Sequence, residues 1–234
     1  MTTNKDVRIL FATRITRLFA YGFLSVVLAL YLIEAGLSAR QIGLLLALTL
    51  AGDAAISLWL TTRADRIGRR RMLTVGAILM LLAGVAFLLT RNPILLTVAA
   101  IVGVISPSGN EIGPFLSIEQ ASLTQLVAEE NRTRLFAWYN LAGSFATATG
   151  ALAGGWLAQV LQSHGWTKLA AFQFVLAGYA LAGVALALGF LTLSAAVEVV
   201  PAPAAQRRLL ACTSPAPWCS NSPPCLRLMH SPAG

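Results

Sequence analysis

The stretch Ala64-Asp65-Arg66-Ile67-Gly68-Arg69-Arg70-Arg71 joins two long apolar runs, residues 42–60 and 72–90, and this arrangement decides how the whole chain is interpreted. Each run is close to the length of about 20 apolar residues that a helix needs to cross a bilayer. Gly68 permits a tight turn between two such helices. The arginines around that turn are typical of a cytoplasmic loop, where anionic headgroups attract cations. The stretch therefore predicts a short cytoplasmic connection between two membrane-spanning helices.

Further apolar runs of similar length lie on both sides of this hairpin. The chain is 57% hydrophobic and only 11% charged, whereas a soluble domain carries about 25% charged residues. The runs are continuous and lack the two-residue alternation of a transmembrane β-barrel. We therefore predict an all-α membrane protein with six transmembrane helices, at residues 15–33, 42–60, 72–90, 94–123, 135–161 and 169–193.

Positive charges are distributed unevenly between the two ends of these predicted spans. If both termini lie in the cytoplasm, 14 of the 17 lysines and arginines fall on that side, and only Arg40, Arg91 and Lys168 lie outside. This asymmetry predicts cytoplasmic termini. The net charge of +8 is spread over short loops rather than gathered on one face with stacking aromatics, so nucleic acid is not an expected partner. The first run is too long for a cleavable signal peptide.

The composition changes abruptly after the sixth run. Seven of the ten prolines and all three cysteines lie beyond position 200. We predict two parts, a six-span unit over residues 1–193 and a disordered cytoplasmic tail over residues 194–234. The sudden change indicates a frameshift or a truncation. The cysteine spacing matches no zinc signature, so neither a metal site nor another cofactor is expected.

The loop between the second and third runs resembles the cytoplasmic signature of the major facilitator superfamily, G-x-L-A-D-R-x-G-R-K-x-x-L. The matching positions, with arginine for lysine at one of them, are Asp65, Arg66, Gly68, Arg69, Arg70 and Leu73. Thr61 and Arg63 depart from the pattern, and they replace the glycine and leucine of the signature. The resemblance covers residues from about 8 to 193, and the motif stands in the structural context that it requires.

This resemblance implies a conformational-switch role for the loop and a particular architecture for the protein. Family members have twelve spans in two six-helix halves, with the substrate site between the halves near the middle of the membrane. The chain therefore resembles an N-terminal half. A missing second half or a homodimer partner is expected beside it, together with the lipid bilayer.

A second element, Gly150-Ala151-Leu152-Ala153-Gly154-Gly155, resembles the G-P-x-x-G-G motif of the proton-driven exporters in that family, with Ala151 in place of the proline. Small residues at this spacing also allow two helices to approach closely without any further role. Both interpretations stay open. The element favours efflux of a small solute only weakly.

Polar residues inside the predicted spans are candidates for proton or substrate binding, because ionisable groups in lipid are costly and usually functional. Asp53 lies 11 residues after Ile42, about 17 Å along a helix and close to mid-membrane. A packing role for the same aspartate remains an alternative. Tyr21 and Asn140 could line the same cavity, since hydroxyl and amide groups orient ligands in apolar sites.

The fourth run contains the other unusual group of polar residues. Prolines and glycines interrupt it around Asn110 and Glu111, and broken helices are tolerated where they line a cavity. Glu111 is expected to lie deeper and to bind substrate or protons. Glu119 lies nearer the cytoplasmic end, where Arg17 or Arg14 of the first run could pair with it, so a structural role is favoured there.

The predicted function is secondary active transport of a small organic solute by alternating access, with proton coupling through Asp53 or Glu111, in the plasma (bacterial inner) membrane. The alternative is a truncated membrane protein that transports nothing, because alternating access needs one half to rock against another. An enzyme is not expected. Intramembrane hydrolases need a nucleophile and base or metal ligands within the spans, and the two histidines, His164 and His230, lie outside them.

Overall fold

The structure, a computed structural model, describes residues 2–103, 114–194 and 197–198, with only the backbone at residues 2–4, 64–66 and 114. Asn110, Glu111 and the tail beyond residue 198 lie outside the described residues. The predictions for them therefore stay predictions.

Seven α-helices, and no strand, are found in the described part of the chain. They are α1 (Thr2–Glu34), α2 (Ala39–Ile67), α3 (Arg69–Leu89), α4 (Pro93–Val102), α5 (Pro114–Leu126), α6 (Glu129–Ser163) and α7 (Lys168–Leu191). The helical class is confirmed. The first, second and fifth apolar runs lie within α1, α2 and α6. The third and sixth runs extend one and two residues beyond the ends of α3 and α7, and the described parts of the fourth run form α4 and most of α5.

Four segments of the described chain are long and apolar enough to cross a membrane. They are Lys5–Glu34, Ala39–Arg63, Arg69–Leu89 and Lys168–Leu191. The number of six spans stays a prediction. Helix α6 is the longest described helix at 35 residues, and it is not among these four segments.

Short connections between the helices are set by local capping. Asn92 precedes α4 and accepts a hydrogen bond from the backbone N of Ile94 at 3.0 Å, while Pro93 occupies the first helical turn. Thr167 caps α7 in the same way, accepting from the backbone N of Ala170 at 3.3 Å. Each cap satisfies a backbone donor that the first turn leaves free.

Helix α1 lies at the centre of the bundle and packs most extensively against α6, then against α7, while α3 packs against α7. Its buried face includes Leu24 and Tyr31, neither of which has exposed surface. The Tyr31 hydroxyl donates to the backbone oxygen of Phe87 at 2.6 Å and so joins α1 to α3. At the other end of the bundle, the backbone N of Ser194 donates to Asp6 at 3.1 Å.

The outward faces of the helices are strongly apolar. Leu58 of α2, Leu89 of α3 and Leu152 of α6 expose 68%, 82% and 73% of their surface. Water-soluble monomers rarely expose contiguous apolar patches of this kind. These faces are therefore suited to lipid or to another apolar protein surface.

Candidate functional site

A buried ion pair joins α1 to α5. The Arg17 guanidinium donates to both carboxylate oxygens of Glu119, from Nη1 to Oε1 at 2.7 Å and from Nη2 to Oε2 at 2.8 Å. Neither side chain has any exposed surface. The Tyr139 hydroxyl of α6 also donates to Glu119. The carboxylate is thus held by three helices at once, and a bidentate pair of this kind is among the strongest hydrogen-bonded contacts in proteins.

Aromatic rings surround the two arginines. Arg14 lies one turn before Arg17, with its guanidinium 4.0 Å from the centre of the Tyr139 ring, and Arg17 lies 4.5 Å from the centre of the Phe115 ring. Arg14 also donates to the side-chain oxygen of Asn140 at 3.2 Å. Cation–π contacts stabilise a cation that has lost its water. Burying charge at this depth is tolerable only with such partners.

The structure places Glu119 on Arg17 and Asn140 on Arg14. Two of the sequence candidates thus contact the arginine cluster, Glu119 in its buried centre and the exposed Asn140 at its edge. Tyr21 is also buried on α1, and its ring centre lies 6.4 Å from that of Tyr179 on α7. Tyr179 was not among the candidates predicted from the sequence. A lone tyrosine within the small apolar residues of the sixth run was the available signal.

Asp53 is 99% buried on α2. Its Oδ1 accepts a long hydrogen bond of 3.5 Å from the Ser57 hydroxyl one turn later. Its Oδ2 is buried and has no hydrogen-bond partner among the residues that the structure describes. Tyr179 lies within electrostatic range of this carboxyl group. A buried carboxylate oxygen without a donor is costly when it is ionised, so this group is suited to carrying a proton.

The arginine-rich loop between α2 and α3 is tied to other elements. Gly68 has a φ of 112°, a conformation that favours glycine. The Glu198 carboxylate accepts from the backbone N of Arg69 at 2.7 Å and of Arg70 at 3.3 Å. An anion at this position satisfies free donors and the helix dipole at the start of α3.

Side chains of the same loop extend to α5 and α7. Arg69 is buried and donates to the Gln125 side chain at 2.7 Å. Arg70 donates to the backbone oxygen of Leu191, at the end of α7. The side chains of Asp65 and Arg66 lie outside the described residues, so their predicted switch role stays a prediction.

The glycines of the second motif fall into two groups. A Cβ placed on Gly150 would lie 2.1 Å from the backbone oxygen of Phe19, and one on Gly154 would lie 2.3 Å from that of Phe23. Both glycines therefore let α6 lie directly against the backbone of α1. At Gly155 an added Cβ would meet nothing closer than a side-chain atom of Val26 at 3.8 Å. Packing therefore does not require glycine at position 155.

The apolar helices, their exposed apolar faces and the buried ion pair define a polytopic membrane protein. Residues 10–230 match the family described as Major Facilitator Superfamily. The chain belongs to this family, whose members are transporters, and the resemblance in the arginine-rich loop is confirmed.

Two known proteins show how much of a family member this chain represents. It is 39% identical over 198 residues to the uncharacterized membrane protein YJR124C of Saccharomyces cerevisiae. The aligned region covers 84% of this chain and 44% of the yeast protein. It shares its fold with a crystal structure of a D-xylose–proton symporter, with a TM-score of 0.62, 18% identity, and coverage of 88% of this chain and 50% of the symporter. The chain thus spans about half the length of these proteins.

Proposed function

We propose that this chain forms one half of a secondary transporter that moves a small organic solute by alternating access, with proton coupling through Asp53. The observation that carries the proposal is the buried Asp53 carboxyl group, whose Oδ2 has no hydrogen-bond partner among the described residues. Intramembrane acids of this kind are rare, and they mark ion and proton pathways. The structural neighbour is itself described as a D-xylose–proton symporter.

A second buried acid of the bundle, Glu119, has a different environment. Glu119 receives two hydrogen bonds from Arg17 and one from Tyr139. Its carboxylate is thus fixed in a hydrogen-bonded ion pair, whereas Asp53 Oδ2 has no hydrogen-bond partner among the described residues. We therefore assign Glu119 to the framework and Asp53 to proton coupling, with Glu111 retained as a further candidate.

The Asp53→Asn variant is expected to lose proton coupling while keeping solute exchange. The purified chain is reconstituted into liposomes that contain a pH-sensitive dye, and proton entry is measured after addition of a solute, with D-xylose and L-leucine as first probes. Removing the titratable group should reduce solute-driven proton entry at least about tenfold. Exchange of labelled for unlabelled solute across the same membrane should persist, because it needs no net proton movement.

The control for this experiment is Glu129→Gln, which removes a carboxyl group whose side chain is 86% exposed. It should leave proton entry unchanged. Unreduced proton entry in Asp53→Asn would remove this aspartate from the mechanism.

A non-transporting role is the second candidate, and the length comparison favours it. The chain covers 44% of its yeast relative, and alternating access requires a second unit against which the first can rock. Leu58 on α2 and Trp156 on α6 each expose 68% of their surface, and they could contact such a unit. Crosslinking in membranes and the liposome assay on the same preparation distinguish an active homodimer from an inactive monomer.

We also propose a plasma-membrane location, the inner membrane in a bacterium, with both termini in the cytoplasm. The support is the uneven distribution of lysine and arginine. An Asn92→Cys variant, in the loop before α4, should react with a membrane-impermeant maleimide in intact cells. The native tail cysteines should react only after permeabilisation. The opposite result would reverse the orientation.

A further inference from the structure

A groove of about 300 Å³ lies between α1, α6 and α7, at the end of the bundle where the loop between α6 and α7 is found. We call it the α1–α6–α7 groove. Val27 and Leu30 of α1 and Phe172 of α7 form its apolar wall, while Glu34 and Lys168 lie at its mouth. Neither Asp53 nor the Arg17–Glu119 pair lines it. The proposed mechanism assigns it no role.

The mouth of the groove carries one charge of each sign. Lys168 Nζ lies 3.6 Å from Glu34 Oε1, and the two side chains are 66% and 38% exposed. A long, exposed ion pair contributes little to stability. It can therefore open at small cost when a ligand offers each partner a better-placed opposite charge. The Gln159 side chain adds a neutral hydrogen-bonding group to the lining.

Gly155 keeps one wall of the groove open. It lines the groove, and an added Cβ would meet nothing closer than 3.8 Å. Its neighbour Gly154 lies against the backbone of α1 and is required for packing, as described above. Helix packing thus accounts for Gly154 but not for Gly155. A large side chain at position 155 would occupy space that is now free.

We propose that the α1–α6–α7 groove binds a small zwitterionic solute with an apolar side chain, of the amino-acid class. The solute's ammonium group would bind Glu34, its carboxylate would bind Lys168, and its side chain would lie on Val27, Leu30 and Phe172. The volume is at the lower end of the range of about 300–1,000 Å³ for small-molecule sites. It suits a free solute rather than a two-chain lipid. The inference goes beyond the proposed function, because the groove is separate from Asp53.

Binding is tested on the purified full chain in detergent with radiolabelled L-leucine as the probe. Saturable binding is expected, with competition by unlabelled leucine. 4-Methylpentanoate and isoamylamine each lack one of the two charges and should compete at least about tenfold less well, because a hydrogen bond to a charged group typically contributes about that factor. Vesicles of phosphatidylethanolamine should not compete. Competition by those vesicles at leucine-like concentrations would identify a lipid site and overturn the proposal.

Two variants locate the binding. Gly155→Phe should reduce leucine affinity at least about tenfold by filling the groove. Gly43→Phe is its matched control, since Gly43 on α2 is exposed and has no atom within 4 Å of an added Cβ. Equal binding by wild type and a folded Gly155→Phe, or no saturable binding by wild type, would overturn the proposal. The analogue series needs no variant, so a folding failure leaves the test intact.

The binding assay is independent of transport. Leucine binding without solute-driven proton entry would contradict the proposed function and leave the groove assignment standing. Proton entry driven by D-xylose, in a protein that does not bind leucine, would do the reverse. The two proposals can therefore fail separately.

Discussion

Replacing Glu119 with alanine is expected to lower the free energy of unfolding by about 3–5 kcal/mol, because the change removes one partner of a buried, bidentate ion pair. Arg17 has no exposed surface, and Glu119 accepts a hydrogen bond from each of its terminal nitrogens. The same change removes the acceptor of the Tyr139 hydroxyl. The cation–π contact with Phe115 is already present in the wild type, so it does not offset the loss.

The measurement is the midpoint of thermal unfolding in detergent, together with the amount of folded protein in membranes. The matched control is Glu129→Ala, since Glu129 also contacts an arginine, Arg132, at 3.2 Å but is largely exposed. Its effect should stay within about 0.5 kcal/mol. The double variant Arg17→Met, Glu119→Met should recover much of the stability, because well-packed apolar residues often replace a buried pair at little cost. Wild-type stability of Glu119→Ala alone would show that the pair contributes nothing.

The sequence indicated an acid in the fourth run and two arginines in the first, but it left open which arginine the acid contacts. Arg14 and Arg17 are three residues apart, and so they lie on neighbouring positions of one helix face. Which arginine Glu119 contacts depends on the position along the α1 axis at which α5 packs. No local sequence pattern indicates that position. The structure pairs Glu119 with Arg17 and leaves Arg14 on Tyr139 and Asn140.

Hydropathy located the helices better than it located their ends. The fifth run was predicted over residues 135–161, whereas α6 extends from Glu129 to Ser163. Its first turn carries two acidic residues. Acidic side chains interact favourably with the dipole at a helix N-terminus, but they are energetically unfavourable in lipid. Apolar length reports only the part of a helix inside the hydrocarbon layer, and the backbone hydrogen bonds continue beyond it.

Other contacts between segments that are distant in sequence left no signal in the sequence. The carboxylate of Glu198 meets the start of α3, although nothing near Glu198 in the sequence indicates a capping role. The α1–α6–α7 groove likewise combines residues from three helices. By contrast, the small residues of the second motif did predict a close approach, because glycine at helical spacing has a direct geometric consequence.

Replacing Gly150 with valine is expected to destabilise the chain by about 3 kcal/mol or more, near the upper limit for overpacking in a core. The Cβ alone would lie 2.1 Å from the backbone oxygen of Phe19. A backbone atom cannot rotate away as a side chain can, so α1 and α6 must separate. That movement would also strain the contact on the other side of the interface, where a Cβ on Gly22 would lie 2.1 Å from the backbone oxygen of Thr147.

The matched control is Gly155→Ala in the same helix, where the nearest atom to an added Cβ is 3.8 Å away. It should be neutral or stabilising by up to about 1 kcal/mol, because alanine favours the helix over glycine. Thermal unfolding of both variants in detergent gives the comparison. Arg17 of α1 holds the Glu119 carboxylate. Separation of α1 from α6 should therefore increase the distance between that carboxylate and the Tyr139 hydroxyl on α6. Equal unfolding temperatures for Gly150→Val and Gly155→Ala would show that α1 and α6 are not packed backbone to backbone. The contact of the Tyr139 hydroxyl with Glu119 would then need another explanation.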